Sequence, residues 1–240
     1  MKAVLLAAGL GTRLLPLTRE IPKCLIPVNG VPLMDYWFRL FRKFGIDEVL
    51  INVNHLPEKV KVYVDENAHD LKVTLIYEKQ LLGSLGTILN NRQFFHADED
   101  VYIFYSDNLT NIDLSRMHQF HKSSGSSFTM GLFRTNNPTG CGIVELDENS
   151  TVTSFFEKPA NPKSDLANAG IYLTSGSLFD NLPEFETNPD HVVDIGFHLL
   201  PKLVNRMKGY PIPEFLLDVG TIDNLNFANN YVKANPVLFR

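Results

Sequence analysis

Two glycines, an arginine and a lysine follow the first apolar run of the chain. Residues 4–8 (Val-Leu-Leu-Ala-Ala) stop at Gly9 and Gly11, Arg13 comes at once, and Lys23 follows ten residues later. Glycine permits a sharp turn and lets backbone N–H groups close on an anion. The same pair also suits a plain strand-to-helix turn. Arg13 offers a planar fork of donors matched to phosphate oxygens. Lys23 follows Pro22 in a stretch punctuated by Pro16, Pro22 and Pro27, which reads as a stiff loop with little helical freedom. A stiff loop holds a cation over a phosphate at lower entropic cost. Either cation alone fits an ordinary solvated side chain; together they point to phosphate binding. Two phosphate motifs are excluded: Leu14 stands where a dinucleotide fingerprint needs its third glycine, and Thr12-Arg13 follow Gly11 where a Walker A loop needs Lys-Ser/Thr.

Asp107 lies just past the apolar run 101–105, and Asp218 ends the run 215–218 before Gly220-Thr221. In open parallel α/β sheets, ligands bind outside the carboxyl ends of the strands. A carboxylate there, beside phosphates, suits Mg²⁺, which takes one or two carboxylates together with phosphate oxygens. Asp107 also fits, less well, the start of a turn or a cap for a helix beginning at Leu114. Glu157 and Lys158 end a third run, Phe155-Phe156-Glu157-Lys158-Pro159, where an adjacent Glu-Lys pair is commonly surface decoration. The seven histidines show no metal-ligand spacing; His118 and His121, three apart, read as surface residues of a helix. Cys24 and Cys141 are far apart and lack any Cys-x-x-Cys or Cys/His pattern, which argues against zinc or a disulfide framework and for reduced thiols.

Hydrophobic periodicity supplies the elements that must carry these residues. Strands are expected at 4–8, 48–53, 71–77 and 101–105. Helices are expected at 32–44, 57–67, 86–95 and 114–121. Pro32 near the first turn and Gly45 past the end bracket the first helix, and Trp37, Phe38, Phe41 and Phe44 fit its core face. This β-α alternation argues for a largely parallel sheet covered on both faces. Later segments change character. Short strands at 128–133, 142–146, 152–157 and 169–173 are separated by turn residues, with Asp147-Glu148-Asn149-Ser150 as a hairpin turn. A helical pattern covers 190–207, a strand 215–218 and a closing helix 221–233. The expectation is one α/β domain over 1–240. Its first half, about 1–110, suits a nucleotide; its second, about 111–240, carries an antiparallel insertion.

Composition narrows the partners. The 240 residues are 44% hydrophobic and 20% charged, with a formal net charge of −5. A weakly acidic protein is a poor general nucleic-acid binder, although a local basic pocket can still take a small anion. No apolar run approaches the roughly 18 residues of a membrane span, and the N-terminus lacks a signal-peptide pattern. A cytoplasmic protein without nucleic-acid or membrane partners is expected.

The stretch AAGLGTRLLPLTREIPKCLIPVNGVPL resembles the G-x-G-T-R-x-x-P-x-T-x-x-x-P-K signature of the sugar-1-phosphate nucleotidyltransferases, or nucleotide-sugar pyrophosphorylases. These enzymes join a nucleoside triphosphate to a sugar 1-phosphate and release pyrophosphate. Six further segments match in order: LLGSLGTI (81–88), YSDN (105–108), GIVELDE (142–148), FFEKP (155–159), NAGIY (168–172) and LDVGT (217–221). The resemblance implies a Rossmann-like mixed, mostly parallel sheet flanked by helices, with an antiparallel sugar-binding insertion in the second half. It implies catalytic roles for Arg13 on the leaving phosphates and Lys23 on the reacting ones. Ala8, Gly9, Gly11 and Thr12 would line the nucleotide, and Gly83, Gly86 and Thr87 would receive its base. Glu78 would meet the base edge, a solvated carboxylate being the equal alternative. Asp107 and Asp218 would share Mg²⁺. Asn108, Gly142, Glu157, Lys158, Asn168 and Gly170 would bind the sugar phosphate.

Three positions depart from the family pattern. Ser106 replaces a glycine, Leu85 an alanine that either crowds the base or turns into the core, and Cys141 an aromatic. The pattern looks closest to guanylyltransferases for mannose 1-phosphate or a heptose 1-phosphate. Uridylyl, cytidylyl and thymidylyl transfer stay open, as does a non-catalytic nucleotide-sugar sensor. The expected partners are a nucleoside triphosphate and a sugar 1-phosphate, with a homo-oligomer left open. No left-handed β-helix follows residue 233, so a fused acyltransferase is not expected.

Overall fold

The computed structural model describes residues 1–180 and 192–239, excepting the side chain of Asp180. They form two compact units. One comprises Met1–Lys79, Phe104–Ile112 and Glu214–Arg240, the other Gln80–Ile103 and Asp113–Pro213. Among the described residues no helix is long and apolar enough to cross a membrane.

In the first unit, β1 (Lys2–Leu6), β4 (Glu48–Val53) and β5 (Lys72–Tyr77) are parallel neighbours, with Val4 opposite Leu50 and Leu50 opposite Thr74. Every residue of β1 is buried, as a strand covered on both faces requires. It ends two residues earlier than its apolar run suggests, because the Ala7 amide donates to the Asn52 side chain at 2.8 Å. The loop that follows is more helical than its prolines suggest. It makes three 3₁₀ turns, Thr12–Leu14, Leu17–Arg19 and Lys23–Leu25. Thr18 Oγ1 ties the first two by donating to the Gly11 carbonyl at 2.9 Å. The hairpin of β2 (Pro27–Val28) and β3 (Val31–Pro32) leads into α1 (Leu33–Phe44), which stops at Gly45 with φ 67°. Trp37, Phe38 and Phe41 are fully buried, as their helical spacing requires. α2 (Pro57–Asn67) leads to β5.

One short strand was not separable from loop in the sequence: β7 (Asn108–Thr110), which pairs antiparallel with β13 (Leu216–Asp218), the strand expected at 215–218. The closing helix α7 (Ile222–Ala234) begins at Thr221, whose hydroxyl accepts from the Asn224 amide at 3.2 Å. One core joins these pieces: Leu14, Ile26, Leu33, Leu109, Val219 and Ala228 pack together, with neighbours from α1 and α7. Leu14, Leu109 and Val219 each adjoin a residue with site chemistry, so the core anchors the site from below.

β6 (Asp100–Tyr105) starts in the second unit and ends in the first. The second unit also holds α3 (Ser84–Asn90), α4 (Leu114–Ser124) and α5 (Ser177–Asp180). Its strands are β8 (Phe128–Arg134), β9 (Gly142–Leu146), β10 (Val152–Glu157), β11 (Leu166–Ser175) and β12 (Lys208–Pro211). β9 pairs antiparallel with β10 and with β11, and β11 pairs antiparallel with β8. This is the expected insertion, and its 147–150 turn closes where anticipated, with Asp147 Oδ1 accepting from the Asn149 and Thr151 amides. β11 shifts register between Asn168 and Tyr172, where Gly170 has φ 65°.

The helical pattern at 190–207 is not one helix. Its first two residues lie outside the described set; residues 192–194 are extended, Ile195–Leu199 is a π-turn, and α6 (Leu200–Leu203) is a single turn. Pro201 can open a new helical turn but cannot continue an old one. An unexpected parallel strand, β12, then pairs with β8. The helix expected at 86–95 likewise divides into α3 and a 3₁₀ turn, Arg92–Phe94.

Candidate active site

In the first unit, the β7–β13 pairing sets Asp218 opposite Asn108, and the Val219 amide donates to the Asp107 carbonyl at 2.8 Å. Two aspartates over a hundred residues apart thereby share one strand end. Lys23 forms an ion pair with Asp107, and Arg13 Nη2 lies 3.6 Å from Asp218 Oδ2. Burial and the charge of Asp107 push the Asp218 carboxyl above its ordinary range; Lys23 and Arg13 only partly offset them. Asp218 Oδ1 is buried without a hydrogen-bond partner. Such an atom is costly unless a ligand satisfies it. A divalent cation fits: Asp107 and Asp218 are hard oxygen donors, and no group of three or more metal-ligating side chains exists among the described residues. Substrate phosphates would have to complete the coordination, as Mg²⁺ favours.

The surrounding residues hold this cluster in place. Trp37 Nε1 donates to the Ser106 carbonyl at 3.2 Å, and the indole lies 4.6 Å from the Phe104 ring. Asn224 Nδ2 donates to the Asp218 carbonyl at 2.7 Å. A Cβ on Gly220 would fall 2.6 Å from Arg13 Nη2 and 2.7 Å from Asp218 Oδ1. Gly11, with φ 64°, lies under the Thr18 and Lys23 side chains. Gly9 and Thr12 are exposed and Ala8 is buried beside them. Glu78 is not a solvated carboxylate: it is 4% exposed and accepts from Asn52 Nδ2 at 2.9 Å. Burial holds the Cys24 thiol at about 12, which leaves it inert.

The second unit holds Gly142, Lys158, Asn168 and Gly170, of which Gly142 and Lys158 adjoin Glu157. Burial raises its carboxyl, with Lys158 lowering it and Asp194 raising it further. Its Oε2 is approached by backbone that has no side chains: a Cβ on Gly142 would lie 2.6 Å away, and one on Gly196 2.8 Å away. Lys158 Nζ lies 4.0 Å from Glu157 Oε1. The Lys158 backbone has φ 48°, and its amide donates to the Cys141 carbonyl at 3.0 Å. A lysine in the left-handed region is uncommon and marks a constrained position. Asn168 donates to the Tyr172 hydroxyl at 2.8 Å and accepts from the Gly170 amide at 3.0 Å.

The glycine loop at 82–87 is fastened to the same region. The Leu85 and Gly86 amides both donate to the Val193 carbonyl at 3.0 Å. Ser84 Oγ donates to Asp194 Oδ2 at 2.8 Å, and Asp194 Oδ1 accepts from the Gly196 amide at 2.7 Å. Gly83 has φ 82° and lies so near the Val193 carbonyl that a Cβ would clash at 2.3 Å. Thr87 is buried, closing the first turn of α3 on the Gly83 carbonyl at 3.1 Å. Leu85 is fully buried and turns into the core. Ser84, Asp194, Gly196 and Gly220 were not singled out from the sequence. Asp194 carried a signal, since an aspartate two residues before a glycine amide is an N-cap pattern.

The nucleotidyl transferase family model matches residues 2–235. A UTP–glucose-1-phosphate uridylyltransferase from Synechocystis sp. is 30% identical over 239 residues, covering 93% of this chain and 60% of the relative. A mannose-1-phosphate guanylyltransferase from Mycobacterium tuberculosis is 30% identical over 224 residues, covering 91% and 61%. A D-glycero-α-D-manno-heptose 1-phosphate guanylyltransferase from Campylobacter jejuni is 33% identical over 181 residues, covering 75% and 79%. The chain thus spans about 60% of the length of the first two relatives. A UDP-glucose pyrophosphorylase solved with UDP-glucose superposes with a TM-score of 0.83 at 19% identity, covering 98% of each chain. That likeness establishes the fold: α/β, with a mixed sheet flanked by helices.

Proposed function

The chain belongs to the nucleotidyl transferase family, and from that premise we propose that it transfers a nucleoside monophosphate from a nucleoside triphosphate to a sugar 1-phosphate. An oxygen of the sugar phosphate attacks the α-phosphorus in line, the bond from that phosphorus to the bridging oxygen breaks, and pyrophosphate leaves. No protein nucleophile is needed; positioning and charge neutralisation carry the rate. The observation that carries this reading is the cluster of Asp107, Asp218, Lys23 and Arg13 assembled by the β7–β13 pairing.

Arg13 neutralises the departing β- and γ-phosphates, and Lys23 leaves Asp107 to bridge the reacting ones. Gly9, Gly11 and Thr12 present backbone to the nucleotide, and the 83–87 loop receives its base. Glu157 accepts from sugar hydroxyls, Lys158 holds the sugar's phosphate, and Asn108, Gly142, Asn168 and Gly170 also bind the sugar phosphate. Asp107 and Asp218 would hold Mg²⁺, whose charge would screen the repulsion between two anionic reactants.

GTP with mannose 1-phosphate or a heptose 1-phosphate is the favoured pair, in a cytoplasmic pathway of nucleotide-sugar supply. The two guanylyltransferase relatives support it. Uridylyl transfer to glucose 1-phosphate is the second reading, favoured by the Synechocystis relative. The test is pyrophosphate release with Mg²⁺ from the four ribonucleoside triphosphates and dTTP, each paired with mannose, heptose and glucose 1-phosphates. GTP should lead. Release with UTP and glucose 1-phosphate alone would select the second reading, and no release with any pair would leave a nucleotide-sugar sensor.

A further inference from the structure

In the first unit, three adjacent parallel strands end on polar groups that hydrogen-bond in a row. The Ala7 amide, one residue beyond β1, donates to Asn52 Oδ1 at 2.8 Å. Asn52 Nδ2 donates at 2.9 Å to Oε1 of Glu78, one residue beyond β5. Glu78 is itself clamped: its amide donates to the Val53 carbonyl at 2.8 Å, and its carbonyl accepts from Asn54 Nδ2 at 2.7 Å. Asn52 and Glu78 are each 4% exposed.

The order of donors in this row is fixed. A backbone N–H only donates and a carboxylate accepts, so the amide between them has one orientation. Apolar side chains would fill the same space without the desolvation penalty that an amide and a carboxylate incur. The row does something that apolar filling could not. Asn52 takes the hydrogen bond that would have extended β1, so the chain leaves the sheet at Ala7 and continues as the loop Ala8-Gly9. That loop lies at the carboxyl ends of the strands, where ligands bind in open parallel sheets.

We infer that Asn52 is a positioning residue for the nucleotide. Through Ala7 it sets where the Ala8-Gly9 loop leaves the sheet, and Glu78 holds Asn52 in the orientation this requires. The inference rests on the reading of that loop as nucleotide-binding. It gives Glu78 an indirect role in place of a contact with the base edge.

Asn52→Asp keeps the shape and the bond from Ala7, but sets a second oxygen against the Glu78 carboxylate. Adding Glu78→Gln restores a donor between them. We expect Asn52→Asp to raise the KM and the calorimetric Kd for GTP about tenfold or more, as loss of a buried charge-assisted hydrogen bond does, while the KM for the sugar 1-phosphate stays within about twofold. The double variant should return to within about threefold of wild type. An unchanged Kd for GTP overturns the inference. So does an equal rise in both KM values with a lowered Tm, which a merely structural role would give. If Asn52→Asp fails to fold, Glu78→Ala is read by the same titration: a comparable loss supports the inference and an unchanged Kd overturns it. Absence of pyrophosphate release by the wild type would sink the enzymatic reading alone, because calorimetry with GTP, UTP, CTP, ATP and dTTP still reports on Asn52. Binding of none of these overturns both.

Discussion

The two units solve the problem of holding a carboxylate in different ways. In the first, Asp107 and Asp218 sit beside each other and are balanced by cations: Lys23 pairs with one and Arg13 approaches the other. In the second, Glu157 stands between bare glycine backbones, and its neighbour Asp194 is occupied by Ser84 and the Gly196 amide. The first arrangement suits charge that changes during a reaction; the second suits a fixed, shaped surface for hydroxyls. Electrostatic stabilisation should therefore be concentrated in the first unit and substrate fit in the second.

The largest effect should come from breaking the balanced pair. Asp107→Ala and Asp218→Ala should each lower kcat by about 10³-fold, measured by pyrophosphate release; near-normal turnover in either would remove the site from this unit. A matched pair of glycine substitutions comes next. Gly220→Ala forces a methyl against Arg13 and Asp218 and should lower kcat with the nucleotide, whereas Gly142→Ala forces one against Glu157 and should raise the KM for the sugar 1-phosphate. We expect each change to be about 10- to 100-fold. If both variants altered the same kinetic constant, the division of labour would fail.

A smaller effect is read through pH in the second unit. The folded state holds the Glu157 proton more tightly than the unfolded chain, because its carboxyl is raised by burial. Stability is therefore lost as pH rises from the ordinary glutamate value through the folded one. Glu157→Gln removes that slope, so its Tm relative to wild type should climb as pH rises above the ordinary glutamate value. A flat difference would show that the carboxyl is not strained by burial. The smallest effect is in the frame: Thr221→Ala removes the α7 cap and should cost about 1 kcal/mol in urea unfolding. A loss of activity much beyond that would mean the cap orients Asp218 directly.

The Glu-Lys corner was legible only through the family resemblance, whereas the glycine loop and the strand-end aspartates were legible in the sequence because each carries a local signal. The α1 face was legible for the same reason, since Leu33, Trp37, Leu40 and Phe41 repeat at helical spacing and are all buried. What joins them was not. β7 is three residues long, below the length at which alternation declares itself, so the partner of the strand expected at 215–218 was hidden, yet the pairing of β7 with β13 sets Asp107 beside Asp218. The break at 192–203 was hidden because a π-turn and a single α-turn share the apolar spacing of one helix; Pro201 was the clue. A solvated Glu78 stood as an equal alternative to a base contact because a charged residue is rarely buried, and its partner Asn52 lies 26 residues away. Position 85 shows the limit from the other side: only burial reveals that Leu85 turns into the core.

The left-handed backbone at Lys158 has a practical consequence. An L-residue held there costs about 1–2 kcal/mol relative to glycine, so Lys158→Gly deletes the ammonium while easing the main chain that the Cys141 carbonyl grips. The space vacated by the side chain is then open to small primary alkylamines from solution. Chemical complementation by such amines, graded by their length, would gauge how far from the backbone the positive charge has to stand.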